Sequence, residues 1–534
     1  MDICKSNDSP SPPDLVSLAV VRQGLAAIAD EMTLVVMRAA RSPALREAGD
    51  LSSALTDERG GVIAQGRDLP IHLGVMTFTV KELLQSVGAH AMRDGDVWIV
   101  NHALVGGNHL PDVKLIRPIF HGGALVAFAA SLAHWADVGG GAPGSYLASA
   151  TDSWQEGLQI PPVRVMQDNR VVHDIVAVIK ANVRGEQERE GDMLAQLAAL
   201  TVADQRVKEL IARVGIDAFG AALAGIRSVS AAQMRKVIAS LPDGRYQGED
   251  FVDDDGRGGG PVRVAVDIEV AGESIEFDFS RSADAINAPL NTTPFVTMTG
   301  VLYLLKAIAR DEVYHSDGAL APIRVITRRG SLLDPGPGYP VVGGNHETSQ
   351  RVVDAIVKAL GAAIPERLCA GGSGSGGLLI FAGKRGDGSW WTFYETHGGG
   401  EGGHSHRDGA SATRVHLANM ANTPTEFIEA EYPIQVLRAA LRDGSGGRGA
   451  HRGGDGLIRE YRCLADDIVL TTMFERGVVP PYGLQGGEDG LPFRVTLVRG
   501  GEHTTLTGCH NQKLQRDDVI RLESAGGGGY GPFE

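Results

Sequence analysis

Cysteine is scarce in this chain of 534 residues: Cys4, Cys369, Cys463 and Cys509 stand far apart. Neither a CxxC metal clip nor a disulfide framework is therefore available, which fits a reducing compartment. No apolar run is long enough to cross a bilayer. The most apolar early segment, Leu15 to Met37, is interrupted by Arg22, Asp30 and Glu31 and reads as an amphipathic helix. Positive charge is in deficit, with 50 Lys and Arg against 65 Asp and Glu and a net charge of -15. That balance disfavours nucleic acid or an anionic membrane as partner, since both carry phosphate charge of the same sign. The polar opening Met1 to Pro10 has no apolar stretch after basic residues, so no secretory signal is read and a cytoplasmic location is expected.

A nucleotide-binding loop is also missing. No G-x4-GK[ST] string occurs. The run Gly371-Gly-Ser-Gly-Ser-Gly-Gly377 matches GxGxxG in letters, but it follows a helical pattern and precedes the strand-like Leu378-Leu-Ile-Phe381. A dinucleotide fingerprint needs strand first and helix second. ATP, if used, must be bound by another chain.

Glycine, by contrast, is abundant: 71 residues, roughly twice average usage. The glycines fall in pairs and triplets between apolar runs along the whole chain, as tight loops would. Loops that approach a ligand closely need residues without a Cβ. Hydrophobic residues at 43% and charged residues at 22% are those of an ordinary globular protein.

The chemistry concentrates in two short segments, His109-Leu-Pro-Asp112 and His134-Trp-Ala-Asp137. Between them lie Val113 to Phe120, a Gly-Gly turn at 122 and 123, and Ala124 to Ser131, a strand, turn, strand outline. In such a hairpin the residues before the first strand lie beside those after the second, so both His/Asp pairs are expected at one sheet edge. Imidazole with carboxylate suits Zn, Fe, Mn or Ni rather than Ca. Hydrogen-bonded His/Asp couples that merely close the hairpin are the alternative on spacing alone, because an HxxD is a short signal.

Longer strings add a resemblance. Gly106 to Val113, Ala133 to Gly140 and Trp154 to Arg164 resemble the hydantoinase B family, as do Glu47 to Asp57 and Leu69 to Gly74. So do Ile286 to Pro289, Tyr394 to Thr396, Arg407 to Ser411, Asn422 to Glu426 and the closing Gly526 to Gly531, so the likeness runs nearly end to end. The resemblance implies an α+β fold of multi-layer mixed sheets with helices and Gly-rich loops, hydantoinase B-like. It further implies the metal-dependent subunit of an ATP-dependent cyclic-amide hydrolase acting on a hydantoin, a lactam or a 5-oxoproline-type ring. A hydantoinase A-like ATPase subunit would bind ATP and Mg, giving a hetero-oligomer. Two alternatives stand beside it: a subunit of an ATP-dependent ketone carboxylase of the acetone or acetophenone type, and a non-catalytic scaffold for the ATPase.

The resemblance also implies one divalent transition metal, Zn, Mn or Fe, on His109, Asp112 and His134 with one more acidic side chain. Asp50 is the first candidate for that place and Asp137 the local alternative, the other then orienting a ligand from outside; Asp57 and His72 are weaker candidates. Asp137 and Glu156 are the expected proton carriers. The chain departs from the family pattern at Asn101-His102-Ala103-Leu104 and at Trp135, which points to a differently shaped substrate pocket.

Along the chain the expected division is a disordered tail 1–13, a metal-site α/β region 14–170, a mainly helical region 171–243, a mixed β/α region 244–389 and a Gly-rich β region 390–534. Asp253-Asp-Asp255 reads as a solvated turn, and His397, His404 and His406 as surface or lid histidines.

Overall fold

In the computed structural model, which describes residues 14–72, 74–310 and 313–533, the N-terminal half is built on one seven-stranded sheet. The tail expected over 1–13 lies outside the described residues. Helix α1 (Leu15–Ala39) starts where the Asp14 carboxylate accepts the Ser17 amide, and buries Leu18, Val21, Leu25, Ile28, Met32 and Val36 at helical spacing. A short helix α2 (Pro43–Arg46) leads into β1 (Leu51–Asp57) and β2 (Val62–Gln65). Helix α3 (Val75–Val87) precedes β3 (Val97–Val100), the hairpin β4 (Asp112–His121) and β5 (Ala124–His134), then β6 (Val163–Gln167) and β7 (Arg170–Val171). The strand order is β2-β1-β5-β4-β3-β6-β7.

Both faces of this sheet are covered. Val113, Leu115 and Ile119 of β4 join α1 and the long helix α5 (Glu186–Val214) in one core, whereas Ile116 packs with Met76, Val80 and Leu83 of α3 in another. The alternation is the period of two that a sheet buried on both faces requires. Helices α4 (His173–Asn182) and α6 (Ile216–Ala239) complete the helical stretch expected over 174 to 241, and α5 with α6 packs on α1.

A second sheet of four strands follows, β8 (Gly244–Val252), β9 (Val262–Ala271), β10 (Ser274–Asp278) and β11 (Ile323–Ile326), with β10 and β11 parallel. Helix α7 (Pro294–Ala309), capped by the Thr293 hydroxyl, packs on α8 (Thr348–Leu360), which covers β8 and β9. Asp253 is not solvated: it is buried and accepts the amides of Gly477, Val478 and Val479.

The last third is a pair of sheets sharing one core. The first holds β12 (Leu378–Lys384), β13 (Trp390–Glu395), β16 (Ile468–Met473) and β19 (Cys509–Leu514); the short helix α9 (Thr425–Glu431) precedes the second, built from β14 (Ile434–Arg442), β15 (Gly456–Cys463), β17 (Arg494–Arg499), β18 (Glu502–Leu506) and β20 (Val519–Glu523). Phe381 and Phe393 of one sheet meet Tyr461 of the other.

Most of the clustered glycines of this region are not ligand-approach loops. They belong to extended segments lying side by side and bonded backbone to backbone: Gly454 donates to Glu401, Gly527 to Gly454, Gly400 to Ala525, Gly528 to Gly371 and Gly447 to Gly527. A Cβ at Gly400, Gly454, Gly527, Gly528 or Gly529 would overlap a carbonyl oxygen of the next segment. The absence of side chains lets the segments approach this closely.

Gly527→Ala should therefore cost more than about 4 kcal/mol, the range reserved for gross core disruption, because the added methyl meets backbone that cannot yield. Gly122→Ala, in a hairpin turn with φ of 57° and open space around it, should cost only about 1 kcal/mol. Urea unfolding of the two variants checks the contrast.

Candidate metal centre

Strand register assembles the centre. Asp112 pairs with His134 across β4 and β5, and Leu51 pairs with Ala133 across β1 and β5. Asp50, just before β1, is thereby set beside His134, whose amide donates to the Asp50 carbonyl at 3.0 Å. His109 lies in the turn before β4, where its carbonyl accepts the Asp112 amide at 3.2 Å. His72 arrives from the turn ahead of α3. These five side chains are buried and line a cavity of about 50 Å³ with Asn345, His346, Gln350 and Tyr394.

The distances converge on Asp112. Its Oδ1 lies 2.9 Å from His109 Nε2 and 3.1 Å from His134 Nδ1, while Asp50 Oδ2 is 3.8 Å from His134 Nδ1. Its Oδ2 takes the Asn108 amide group and faces His72 Nε2 at 3.4 Å. Two sets of donor atoms fall within 4.8 Å of one another: His109, Asp112 and His134, and Asp50, His72 and Asp112.

Tautomers test whether a cation suits this set. His109 Nδ1 is 3.0 Å from the Val342 carbonyl, an acceptor only, so Nδ1 carries the hydrogen and Nε2 presents a lone pair. That lone pair points at a carboxylate oxygen 2.9 Å away. Two acceptors at this separation repel unless a cation lies between them, and His134 Nε2 is in addition buried without a partner. Two imidazoles and two carboxylates with an adjoining cavity are the donor chemistry of a divalent transition ion with open positions.

Burial dominates the electrostatics. It raises Asp50 well above the ordinary carboxyl range, and the neighbouring Asp112 charge adds to the rise. Burial alone would raise Asp112 too, yet the imidazoles of His109, His134 and His72 gathered around its two oxygens hold it well below that range. Burial also lowers His72, and pushes His134 down to about 4. Lys114 is fully enclosed beneath the site, bonded to Asn108 Oδ1 at 2.9 Å and to the Asp112 carbonyl at 3.2 Å, and burial brings it down to about 8.

Neither Asp137 nor Glu156, the expected proton carriers, lines the cavity. Asp137 Oδ1 accepts the amides of Gly139 and Arg184, and Oδ2 accepts the Gly144 amide and the Arg184 guanidinium. Glu156 accepts the amides of Val341 and Val342 at 3.0 and 2.8 Å. Glu156 is spent on backbone amides, and Asp137 on backbone amides and the Arg184 guanidinium. Glu156 nonetheless bears on the centre, for it holds the peptide whose carbonyl fixes the His109 tautomer. Asp57 sits at the far end of β1, bonded to Gly61 and Arg227. The three loop histidines do not share one site: His397 is buried between the Gly377 carbonyl and the Tyr461 hydroxyl, whereas His404 pairs with Glu401 and meets the His406 ring at 5.8 Å between centroids.

Six participants were not read from the sequence as site residues: Asn108, Lys114, Tyr146, Asn345, His346 and Gln350. The only signal for the last three is the polar string Asn345 to Gln350 at the start of α8, which by pattern resembles a solvated helix N-terminus.

Against this geometry, the family model for hydantoinase B/oxoprolinase matches residues 14–533. The chain belongs to that family. A 5-oxoprolinase of Dictyostelium discoideum is 31% identical over 535 residues, 99% of this chain but 41% of that protein, so the chain spans about two fifths of that relative's length. Among solved structures, the ATP-dependent caprolactamase from Pseudomonas jessenii superposes with a TM-score of 0.91 at 27% identity, covering 97% of this chain and 91% of that one. A nucleotide-free acetone carboxylase gives 0.88 at 18% identity, over 97% and 75% of the two chains, and shows the shared fold alone. The mixed, multi-sheet α+β architecture is that of these neighbours, and among the described residues no helix is long and apolar enough to cross a membrane.

A pH prediction follows from His134. Its folded pKa lies below its ordinary value of 6.5, so as the pH falls from 6.5 towards about 4 the unfolded chain takes up a proton that the folded chain refuses. Over the first unit of that fall His134 should cost the metal-free protein about 1 kcal/mol. The stability gap between wild type and His134→Gln, measured by urea unfolding, should narrow accordingly between pH 6.5 and 5.5; a constant gap would contradict the burial effect.

Proposed function

We propose that the chain is the metal-dependent subunit of an ATP-dependent hydrolase of cyclic amides, hydantoin, lactam or 5-oxoproline-type rings, and works with a hydantoinase A-like ATPase subunit. The observation that carries the reading is the buried convergence of two His/carboxylate pairs on one cavity. In this reading His109, Asp112, His134 and Asp50 hold the ion, with His72 and Asn108 fixing the second oxygen of Asp112 from behind. Outer partners of this kind orient metal ligands and tune them. When bound, a divalent ion supplies a Lewis acid at the cavity wall.

An unstrained amide is a poor electrophile. Phosphorylation of its oxygen by the ATPase subunit makes the carbonyl carbon electrophilic; water then adds there, the ring C–N bond breaks with the nitrogen taking a proton, and a second water removes the phosphoryl group. This chain's contribution is enclosure and orientation. The cavity of about 50 Å³ beside the ligand set is small and enclosed by buried side chains. Tyr146, whose hydroxyl lies 3.4 Å from His109 Nδ1, and Tyr394, whose ring is tilted 33° to that of His134 with the centroids 4.4 Å apart, hold the two imidazoles in place. Both phenols are raised well above their ordinary range, chiefly by burial, and act as neutral hydrogen-bonding groups.

Purified protein should contain close to one transition ion per chain. His109→Ala and His134→Ala should each empty the site, and Asp50→Asn should lower metal content after dialysis more than Asp137→Asn, whose effect falls on the loop bonded to Arg184. Elemental analysis decides; full occupancy in both histidine variants would remove the assignment.

With no phosphate-binding loop in the sequence, the isolated chain should neither bind nor hydrolyse Mg-ATP, and ring opening should appear only after a hydantoinase A-like subunit is added. Calorimetry on the lone subunit and product analysis on the mixture are the measurements, and micromolar ATP binding by the lone chain would contradict the division of labour.

A further inference from the structure

An open cavity of about 890 Å³ lies outside the metal centre, between α1, α6, α7 and the segment that follows β2. That volume falls within the range of small-molecule sites, about 300 to 1,000 Å³. Its floor is apolar and buried, made of Ile63, Ala64, Ile226 and Val313. One stripe of α1 runs along it, Arg22, Ala26 and Asp30, each four residues from the next.

The charges that line this groove are not paired with one another. The Arg22 guanidinium lies over the Tyr314 ring at 4.4 Å and has no carboxylate partner among the described residues. Asp30 Oδ1 accepts the Arg67 amide at 3.3 Å, and Asp68 accepts the Ser53 amide at 2.8 Å and the Thr33 hydroxyl at 3.0 Å. Neither carboxylate is bonded to a cationic side chain; the Arg67 guanidinium is exposed at the rim, and Lys306 Nζ donates to the Val313 and Tyr314 carbonyls. Burial pushes Asp68 up to about 6, and the charge of Asp30 adds to the rise. The groove therefore has an acidic pole, Asp30 with Asp68, and a basic pole, Arg22. Partial burial makes unpaired charges of this kind costly.

The poles are well separated. Arg22 and Asp30 stand eight residues apart on α1, about 12 Å along its axis. A simple carboxylate or phosphate would satisfy Arg22 and leave the acidic pole unpaired, and an amine would do the reverse. An α-amino acid carries both charges, but on adjacent carbons. We infer that the groove is a binding site for an ω-amino acid, its carboxylate on Arg22, its terminal ammonium on Asp30 and Asp68, and its methylenes on the apolar floor. A guanidinium can hold a carboxylate through two parallel hydrogen bonds, and charge-assisted bonds are the strong ones. The site shares a wall with the centre: Asp68 and Pro70 line the groove, whereas Leu69, Ile71 and His72 line the metal cavity.

The test titrates four probes calorimetrically into the full chain loaded with zinc: 5-aminopentanoate, its isomer 2-aminopentanoate, pentanoate and pentylammonium. 5-Aminopentanoate should bind about tenfold more tightly than each of the others. Pentanoate carries the same carboxylate, so binding through zinc alone would show no such preference. Arg22→Gln should reduce 5-aminopentanoate to the affinity of pentylammonium, and Asp68→Asn should reduce it to that of pentanoate, both with zinc content unchanged. The wild-type series decides even if Asp68→Asn, which weakens the tie to β1, fails to fold. Equal binding of the two isomers, no binding of any probe, or an undiminished preference in both folded variants overturns the site. Failure of the hydrolase reading would leave the preference untouched.

Discussion

The antiparallel register of β1, β5 and β4 is the constraint on which the centre depends. Because Asp112 stands opposite His134, and Leu51 opposite Ala133, a carboxylate, an imidazole and a second carboxylate meet at one sheet edge without help from any long loop. A slip of one residue would turn every side chain of a strand to the other face. Here such a slip would also exchange Val113 and Leu115, buried against α1 and α5, for Lys114. The register is therefore protected by the core on both faces, and the metal ligands inherit their precision from apolar packing. This explains how four buried polar side chains can be held in place although burial works against the charged forms of Asp50 and His134.

Much of this was legible in the sequence. The strand, turn, strand pattern between His109 and Asp137 specified the hairpin, and the hairpin specified that His109, Asp112 and His134 would share an edge. Asp50 needed the family resemblance, since its partner strand β5 lies some eighty residues away in sequence and no local spacing announces the pairing. Asp137 and Glu156 show what spacing leaves out: a carboxylate near a ligand motif looks free in one dimension, but in the fold Glu156 is held by backbone amides and Asp137 by backbone amides and Arg184. Asn345, His346 and Gln350 were invisible because a polar helix start reads as solvent-facing, and only the packing of α8 on β8, β9 and α7 turns that start towards the cavity they line. The helical stretch from 174 to 241 was plain from its apolar periodicity, whereas α7, opened by Thr293 and Pro294, carried no such stripe because it is apolar on nearly every side.

The glycines teach a separate lesson. Their abundance pointed to loops folded around a ligand, but most of the clusters after residue 370 serve a backbone lattice in which peptide groups of neighbouring segments bond directly. The property required, absence of a Cβ, was identified correctly; the object approached was protein backbone. Such a lattice has no side-chain core of its own. It couples the loop after α8, the loop before β15 and the C-terminal segment into one unit whose stability comes from peptide hydrogen bonds.

Glu156 gives the centre an unusual dependence on distant chain. Its carboxylate holds the amides of Val341 and Val342, and the Val342 carbonyl in turn selects which nitrogen of His109 is free. The ligand set is thus not a portable motif. Transplanting the two HxxD segments with their hairpin into another scaffold would carry the right atoms but leave the His109 ring free to adopt either tautomer, and a graft would also need two further pieces of chain, the one around 342 that bonds His109 and the one around 156 that holds it. For anyone redesigning this centre, the unit of inheritance is the three-segment assembly, and substitutions near Glu156 belong to the chemistry of the imidazole even though sequence distance and cavity maps place them outside it.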